Sequence, residues 1–410
     1  MLGSAMESVQ SKQDAELIQT SSVLQGAGVV HIFALGLSAR QFLIPHFEAL
    51  SRHGARQLLV CSEGREAHDA ATRGQMRFEP VGIAQSINPF SDLLAVLKLF
   101  SLLRRERPAL VVAHMSKAAA IGLCAAFFSR VSRRVYYNHG MALFSARGPK
   151  RALLWLIERL SCAAATRVFF CSESTRAEAL RLGVVSPAKA RVVGSGSIAG
   201  VDTTLFAPRD SASKDAARKA INIPIDKVSI GFVGRQVPHK GLLTVLEAWR
   251  ALEDEVRQRA VLVIVGGMPT ATIAEAIDSA ASEDPSIIVA GTRSDMPNVY
   301  AALDVVVLPS WHEGFPYSLL EAQSCGIPAI ASAVTGNVDA IIPEVTGLLV
   351  PPRDPVALSA AIKRLIDQPG LRRRLGESAT ERVRQSFSRE RVVSNHLAVY
   401  AEQVSPISVP

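Results

Sequence analysis

Residues 305–326 read VVVLPSWHEGFPYSLLEAQSCG, and the rest of the chain is organised around them. Val305, Val306, Val307 and Leu308 form a short apolar run rich in β-branched residues, the pattern of a buried strand. Pro309 and Ser310 end it, and a loop runs from Trp311 to Phe315. Pro316 suits the first turn of a helix, where its fixed φ fits and its missing N–H would be unpaired anyway. The helix is expected to reach Cys325, with Gly326 as its stop. In an α/β chain, a strand, a loop and a helix N-terminus in succession form a ligand mouth. Amides near Tyr317, Ser318 and Leu319, backed by the positive end of the helix dipole, favour phosphate there. Glu313 on the loop and Glu321 about one turn into the helix frame the mouth without sharing a face. They read as two hydroxyl acceptors on one extended ligand rather than as a proton-sharing pair. Either glutamate alone reads better as a solvated surface carboxylate; both together, set around Glu313-Gly314-Phe315-Pro316, favour a ligand.

At 410 residues the chain exceeds one typical core, and two domains are expected. A hydrophobic content of 48% with 20% charged residues describes a globular protein that forms a core. No run of 18 uncharged apolar residues occurs, so no spanning helix is expected. Residues 1–28 are rich in Ser and Gln and lack a signal-type apolar core; they read as a flexible tail on a cytoplasmic protein. The five cysteines, Cys61, Cys124, Cys162, Cys171 and Cys325, are scattered without a C-x-x-C, which argues against a zinc site or a disulfide framework. Charge is uneven. Residues 1–205 carry 24 Lys+Arg against 14 Asp+Glu, and the remainder 21 against 23. A basic first half suits an anionic partner. Nucleic acid is disfavoured, because aromatic residues do not interleave with the basic ones.

From the start, residues 29–35 read as a strand, Gly36 as a turn or a weak phosphate loop, 38–53 as a helix and 57–61 as a second strand. A turn at 88–91 with a Ser N-cap opens a helix over 92–107, with Leu93, Leu94, Leu97, Phe100 and Leu103 at helical spacing. A strand over 110–114 leads to Lys117 and an apolar helix reaching Ser129. The strand over 134–140 ends in His139-Gly140 at its carboxyl edge, where sites form and where glycine allows close approach; His139 is equally readable as structural. Residues 150–160 are apolar with basic flanks and fit either a membrane surface or a core-packing helix. A strand over 167–171 and a helix over 172–182 follow.

Small residues at 194–202, closed by Pro208, mark a hinge. The α/β rhythm then restarts with a strand over 228–233. Its exit loop carries Arg235 and Lys240, two cations suited to a diphosphate, although each alone reads as solvated. This is not a Walker A loop. Strands are expected over 262–265, 287–290 (with Arg293 just beyond), 327–331 and 348–350. Helices are expected over 355–367, 370–385 and 388–403.

Together Gly234-Arg235, Lys240-Gly241, Glu313-Gly314-Phe315-Pro316, Glu321-Ala322, Gly326-Ile327-Pro328 and Thr346-Gly347 resemble glycosyltransferase family 4 over about residues 29–385. The first half, through Asn88-Pro89, Lys117, Asn138-His139-Gly140 and residues 197–202, is similar to bacterial capsule, O-antigen and exopolysaccharide transferases. The resemblance implies a GT-B fold, two Rossmann-like doubly wound parallel-sheet domains facing a cleft. The expected division is a tail over 1–28, an acceptor domain over 29–208, a donor domain over 209–385 and a helix over 386–410 crossing back. It also implies a retaining enzyme with a nucleotide-sugar donor, expected to be UDP-linked, and a polyprenyl-diphosphate-linked glycan acceptor. Arg235, Lys240, Ser318, Leu319 and Glu321 would hold the nucleotide; Glu313, Gly314 and Phe315 the sugar; His139 and Glu313 would serve the reaction centre. Gly36, Lys117 and Arg293 are secondary candidates. Two departures stand out: Leu35-Gly36-Leu37 where relatives carry a Gly-Gly loop, and Glu344 where a glycine is common.

Glycosyl transfer passes through an oxocarbenium-like state, and the leaving diphosphate gains negative charge. Preorganised donors aimed at such charge are worth roughly 3–4 kcal/mol each. No Asp-x-Asp metal motif is present, so no metal or other cofactor is expected. The basic half and the stretches 92–107 and 150–160 suit an anionic membrane surface as partner. Two other functions fit the same residues: a GT-B isomerase of UDP-sugars, and a non-catalytic partner in glycan assembly.

Overall fold

The computed structural model describes residues 22–405 apart from Ser145, so most of the expected 1–28 tail lies outside the described residues. Two compact units are present. One comprises the chain up to Ala199 together with the part from Glu390 onward; the other is Gly200–Arg389. The first division therefore falls before the expected 208 and the second after 385.

The first unit carries seven strands: β1 (Gly28–Leu35), β2 (Arg56–Ser62), β3 (Arg77–Pro80), β4 (Leu110–His114), β5 (Arg134–Asn138), β6 (Arg167–Phe170) and β7 (Ala190–Val192). They lie in the order β3-β2-β1-β4-β5-β6-β7, all parallel, the doubly wound arrangement. β3 and β7 are short edge strands that periodicity does not reveal. The helix expected over 38–53 is broken into Gly36–Phe42 and Ile44–Arg52. Pro45 is the reason: it has no N–H for the helical ladder and its ring crowds the preceding turn. The helix Pro89–Glu106 is capped by Asn88, whose side chain accepts from the Ser91 amide, and not by a serine. Its apolar residues occupy both faces. Ala95, Leu99, Leu102 and Leu103 are buried, whereas Leu93, Leu94, Leu97 and Phe100 are exposed. The C-terminal helix Arg389–Val404 belongs to this unit, and its His396 is bonded to Tyr137 of β5.

The second unit repeats the plan with β8 (Val228–Val233), β9 (Ala260–Val265), β10 (Ile287–Gly291), β11 (Val305–Leu308), β12 (Ala329–Ser332) and β13 (Gly347–Val350). The order is β10-β9-β8-β11-β12-β13, again parallel. The helix after β11 spans Tyr317–Ser324, with Pro316 as its N-cap in extended geometry rather than inside its first turn. It ends in a Schellman arrangement. Gly326 at φ +80° donates to the Gln323 carbonyl, and Ile327 donates to the Ala322 carbonyl, both at 3.0 Å.

Candidate functional site

β8 and β11 are neighbours where the strand order of the second sheet reverses, so the loops leaving their carboxyl ends share one mouth. The loop after β8 closes with a 3-10 turn, Pro238–Lys240, and with Gly241 at φ +79°. A Cβ at position 241 would lie 2.1 Å from the Pro309 carbonyl oxygen, so glycine is what lets the two loops touch. The Trp311 amide donates to the His239 carbonyl at 2.8 Å, and the His239 and His312 rings stack 5.1 Å apart. This contact brings Lys240 Nζ within 2.6 Å of Glu313 Oε1, which also accepts from Ser310 Oγ at 2.7 Å. The two side chains are only 17% and 10% exposed, so loss of either would strand a shielded charge. Read along the chain, these residues have separate ligand contacts; the fold makes them one ion pair. Arg235 is exposed and its guanidinium makes no hydrogen bond or ion pair among the described residues.

The helix side of the mouth differs from expectation in three places. The Leu319 amide donates to the Pro316 carbonyl at 3.2 Å and its side chain is fully buried, so Leu319 offers no free N–H. Phe315 is buried against Phe387, their rings 5.3 Å apart, so its side chain belongs to the core and only its backbone faces the loop. Glu321 is bonded to the fold itself: Tyr300 Oη donates to its Oε2 at 2.8 Å. Burial pushes the Glu321 carboxyl up to about 7, against the Tyr300 hydrogen bond, which favours the ionised form. Ser318 is half-buried, and its hydroxyl makes no hydrogen bond among the described residues. Glu313 and Gly314 are clasped from behind. The Glu313 amide donates to the Thr335 carbonyl at 3.2 Å, and a Cβ on Gly336, φ +79°, would meet the Gly314 carbonyl oxygen at 2.7 Å.

In the first unit His139 follows β5 on a turn set by Asn138. Asn138 Oδ1 accepts from the Gly140 amide and its Nδ2 donates to Tyr136 Oη, both at 2.9 Å, while Gly140 takes φ +123°. His139 is one of five clustered histidines. Its Nε2 lies 3.2 Å from His114 Nδ1, and His114 Nε2 lies 3.5 Å from His31 Nδ1. His396 accepts from the Tyr137 hydroxyl, and its Nδ1 donates to the Val392 carbonyl at 2.7 Å. His46 donates to the Ile198 carbonyl at 2.6 Å and its ring crosses that of His396 at 4.6 Å. Desolvation lowers His31 and His139 to about 3 and His396 to about 4. It lowers His46 and His114 well below the ordinary range, where repulsion from neighbouring rings adds to it. All five are therefore neutral at pH 7.

The secondary candidates have structural partners. A Cβ on Gly36 would sit 2.5 Å from the Ala67 backbone, so Gly36 serves helix–helix packing. Lys117 is paired with Asp92, tying helix Met115–Phe128 to Pro89–Glu106. Arg293 is held by Asp295 in two hydrogen bonds of 2.9 and 2.7 Å, just beyond the edge strand β10. Sequence reading missed His31, His114, Ser310 and Tyr300. Only His114 carried a signal, a histidine ending β4 much as His139 follows β5.

Known proteins agree with this architecture. Residues 213–382 match the family model described as glycosyl transferases group 1, and residues 47–196 match that of the glycosyl transferase 4-like domain. The capsular polysaccharide biosynthesis glycosyltransferase CapM of Staphylococcus aureus is 28% identical over 309 residues, covering 75% of this chain and 80% of that protein. The Escherichia coli UDP-Gal:alpha-D-GlcNAc-diphosphoundecaprenol alpha-1,3-galactosyltransferase is 28% identical over 342 residues, covering 82% and 87%. Among solved structures, Anabaena HepE in complex with UDP superposes with a TM-score of 0.77 at 17% identity, over 92% of this chain and all of that one. The strand orders, the loop-and-helix mouth and the two family matches together make this chain a member of the GT-B glycosyltransferases of family 4, related to capsule and lipid-linked sugar transferases.

Proposed function

We propose that the chain is a retaining glycosyltransferase that moves a hexose-type sugar from UDP to a lipid-linked surface-glycan acceptor without a metal ion. The observation that carries the reading is the meeting of Lys240 and Glu313 at the carboxyl ends of β8 and β11. In this reading Lys240 and Arg235 take the diphosphate, as a point charge and a fork, and the Ser318 amide adds the helix terminus. Arrival of the diphosphate gives Lys240 a second anion and leaves Glu313, steadied by Ser310, to accept from sugar hydroxyls beside Gly314. Glu321 accepts from the ribose. His139 offers its ring to a sugar hydroxyl. As the glycosidic bond breaks, its electron pair goes to the diphosphate, where the two cations stabilise the charge. The acceptor hydroxyl attacks from the same face, and its proton passes to a departing phosphate oxygen. The names of the relatives support the donor and acceptor classes: the E. coli enzyme is named for UDP-galactose and a diphosphoundecaprenol-linked sugar.

A membrane surface as partner is supported by the first unit. Helices Pro89–Glu106, Met115–Phe128 and Gly148–Ala164 pack in succession. They leave Phe90, Phe128 and Leu160 exposed by 75%, 65% and 60%, and the first and third of these helices also carry the exposed cations Lys98, Arg104 and Arg159. Apolar groups interspersed with cations fit an anionic lipid surface, with cations worth about 1 kcal/mol each near it.

The test is a panel of nucleotide sugars scored by UDP release with a lipid-extract acceptor and excess EDTA. It is followed by the anomeric coupling of the purified product by NMR. An α-linked product from an α-linked UDP-sugar, formed in EDTA, is expected. A β-linked product overturns retention, and activity restored only by Mg²⁺ or Mn²⁺ overturns metal independence.

A further inference from the structure

The polarity of the histidine chain is decided at its buried end. Gln57 Nε2 donates to the Phe47 carbonyl at 2.8 Å and to Ser51 Oγ at 2.7 Å. A carbonyl only accepts, so the Gln57 carboxamide is fixed with its NH₂ on that side and its Oε1 left over. That Oε1 is buried without a partner, and so is His31 Nε2. The Gln57 carboxamide faces the His31 ring closely enough to oppose the desolvation of that ring. The two orphan atoms are satisfied together when His31 carries its proton on Nε2. His31 Nδ1 is then a lone pair facing His114 Nε2, which must supply the proton. His114 Nδ1 is bare in turn and accepts from His139 Nε2. A neutral imidazole holds one proton, so the choice made at Gln57 runs through three rings and leaves His139 Nδ1 unprotonated. Apolar walls hold the rings in register: Phe33 stacks on His114 at 4.1 Å, and Phe47 lies 4.9 Å from His31. Among the described residues no three His, Cys, Asp or Glu side chains are grouped to hold a metal ion.

We propose that Gln57, His31 and His114 are positioning residues that fix His139 as a hydrogen-bond acceptor at Nδ1, for a sugar hydroxyl. The ligand assignment rests on the function proposed above; the tautomer does not. A chain of the opposite polarity would present an N–H at His139 Nδ1, suited to a phosphate oxygen. The Gln57 end therefore selects a hydroxyl over an anion.

The test begins on the wild-type protein, labelled with ¹⁵N in its histidine rings. Long-range ¹H–¹⁵N NMR reads which ring nitrogen carries the proton, with His139 assigned from the spectrum of His139→Asn. Neutral Nε2–H tautomers for His31, His114 and His139 between pH 6 and 8 are expected. An Nδ1–H or an imidazolium at His139 overturns the proposal. His114→Phe keeps a ring against Phe33 and removes both nitrogens. It is expected to mix the His139 tautomers and lower turnover about tenfold or more while leaving UDP affinity unchanged. His114→Asn returns an acceptor near the Nδ1 position and should restore the Nε2–H tautomer and part of the turnover. Failure of this rescue, with His139 still a single tautomer in His114→Phe, reduces His114 to packing and overturns its positioning role. Expected tautomers with full turnover in His139→Ala overturn the hydroxyl assignment alone.

Discussion

The two units share one strand plan, three-two-one-four-five-six along each sheet, yet they bury ionisable groups in opposite ways. The first gathers five histidines and keeps them neutral, with no carboxylate among the groups that shift them. The second places an ion pair, Lys240 with Glu313, and a carboxyl poised near neutrality, Glu321, at its mouth. The scaffold supplies positions at strand ends, and the residue type placed there decides the electrostatics. A buried base resists acid and a buried acid resists alkali, so the two units should respond to pH with opposite sign.

Acidification should separate them most. The five histidines have folded pKa values lowered below the unfolded 6.5, so under acid the unfolded chain takes protons that the folded unit refuses. Their stability contribution is complete above 6.5 and is lost as pH falls toward 4. Glu158, raised by burial, works the other way with one proton. Four net protons correspond to up to about 5 kcal/mol per pH unit, enough to unfold a typical domain within two units. The second unit has two histidines, His239 and His312, both lowered but only half-buried, and its lowered carboxylates, such as Asp284, start from 3.8 and so titrate below this window. Variants keeping Trp155 alone or Trp249 alone report on each unit by fluorescence. The Trp155 transition should come first, between pH 6 and 4.5, and coincident transitions would erase the contrast.

The ion pair offers the next largest effect. Lys240→Met should weaken UDP binding more than about tenfold and destabilise the second unit by about 3 kcal/mol, because Glu313 is left shielded and unpaired. Adding Glu313→Gln removes that stranded charge, so the double variant should recover stability without recovering UDP affinity. Chemical denaturation and calorimetric titration read the two effects independently. Unchanged UDP affinity in Lys240→Met would remove the diphosphate assignment, whatever the stability result.

How legible this was depends on distance along the chain. The strand, loop and helix around residues 305–326 were readable because apolar runs, Pro316 and Gly326 act locally, and Gly326 caps the helix as expected. The break at Leu43 was also local and was written in Pro45. Short, polar edge strands such as β3 carry too little pattern to be found. Lys240 reads as a diphosphate cation and Glu313 as a hydroxyl acceptor, but their pairing needs two loops 73 residues apart and the touching of Gly241 and Pro309. The histidine chain was least visible. His31, His114 and His139 come from the ends or middles of separate strands, and each alone reads as an ordinary core histidine. Only the sheet order, which sets β1 beside β4 and β4 beside β5, brings them together.

The smallest effect sharpens the comparison from the alkaline side. Glu321 has a folded pKa of about 7, above its unfolded value of 4.5. Between these two values the unfolded chain has lost the proton that the folded chain keeps, so rising pH lowers stability, by up to about 3 kcal/mol at pH 7 and above. Glu321→Gln keeps an acceptor for Tyr300 without the charge and should be more stable than the wild type at pH 8 and nearly equal at pH 4.5. Binding should reverse the sign. Ribose hydroxyls donating to Glu321 favour its ionised form, so a UDP-sugar should bind more tightly as pH rises through 7 and release up to one proton as it binds. A UDP-sugar is the right probe, because its diphosphate is esterified at both ends and does not titrate there. Burial lowers His239 and His312 below 6.5, which keeps them out of the window from 7 to 8. Calorimetry in two buffers of different ionisation enthalpy counts the proton directly. Release should be clear at pH 7, fade by pH 8, and vanish in Glu321→Gln. Proton uptake, or a release that survives this substitution, would place the ribose elsewhere than on Glu321.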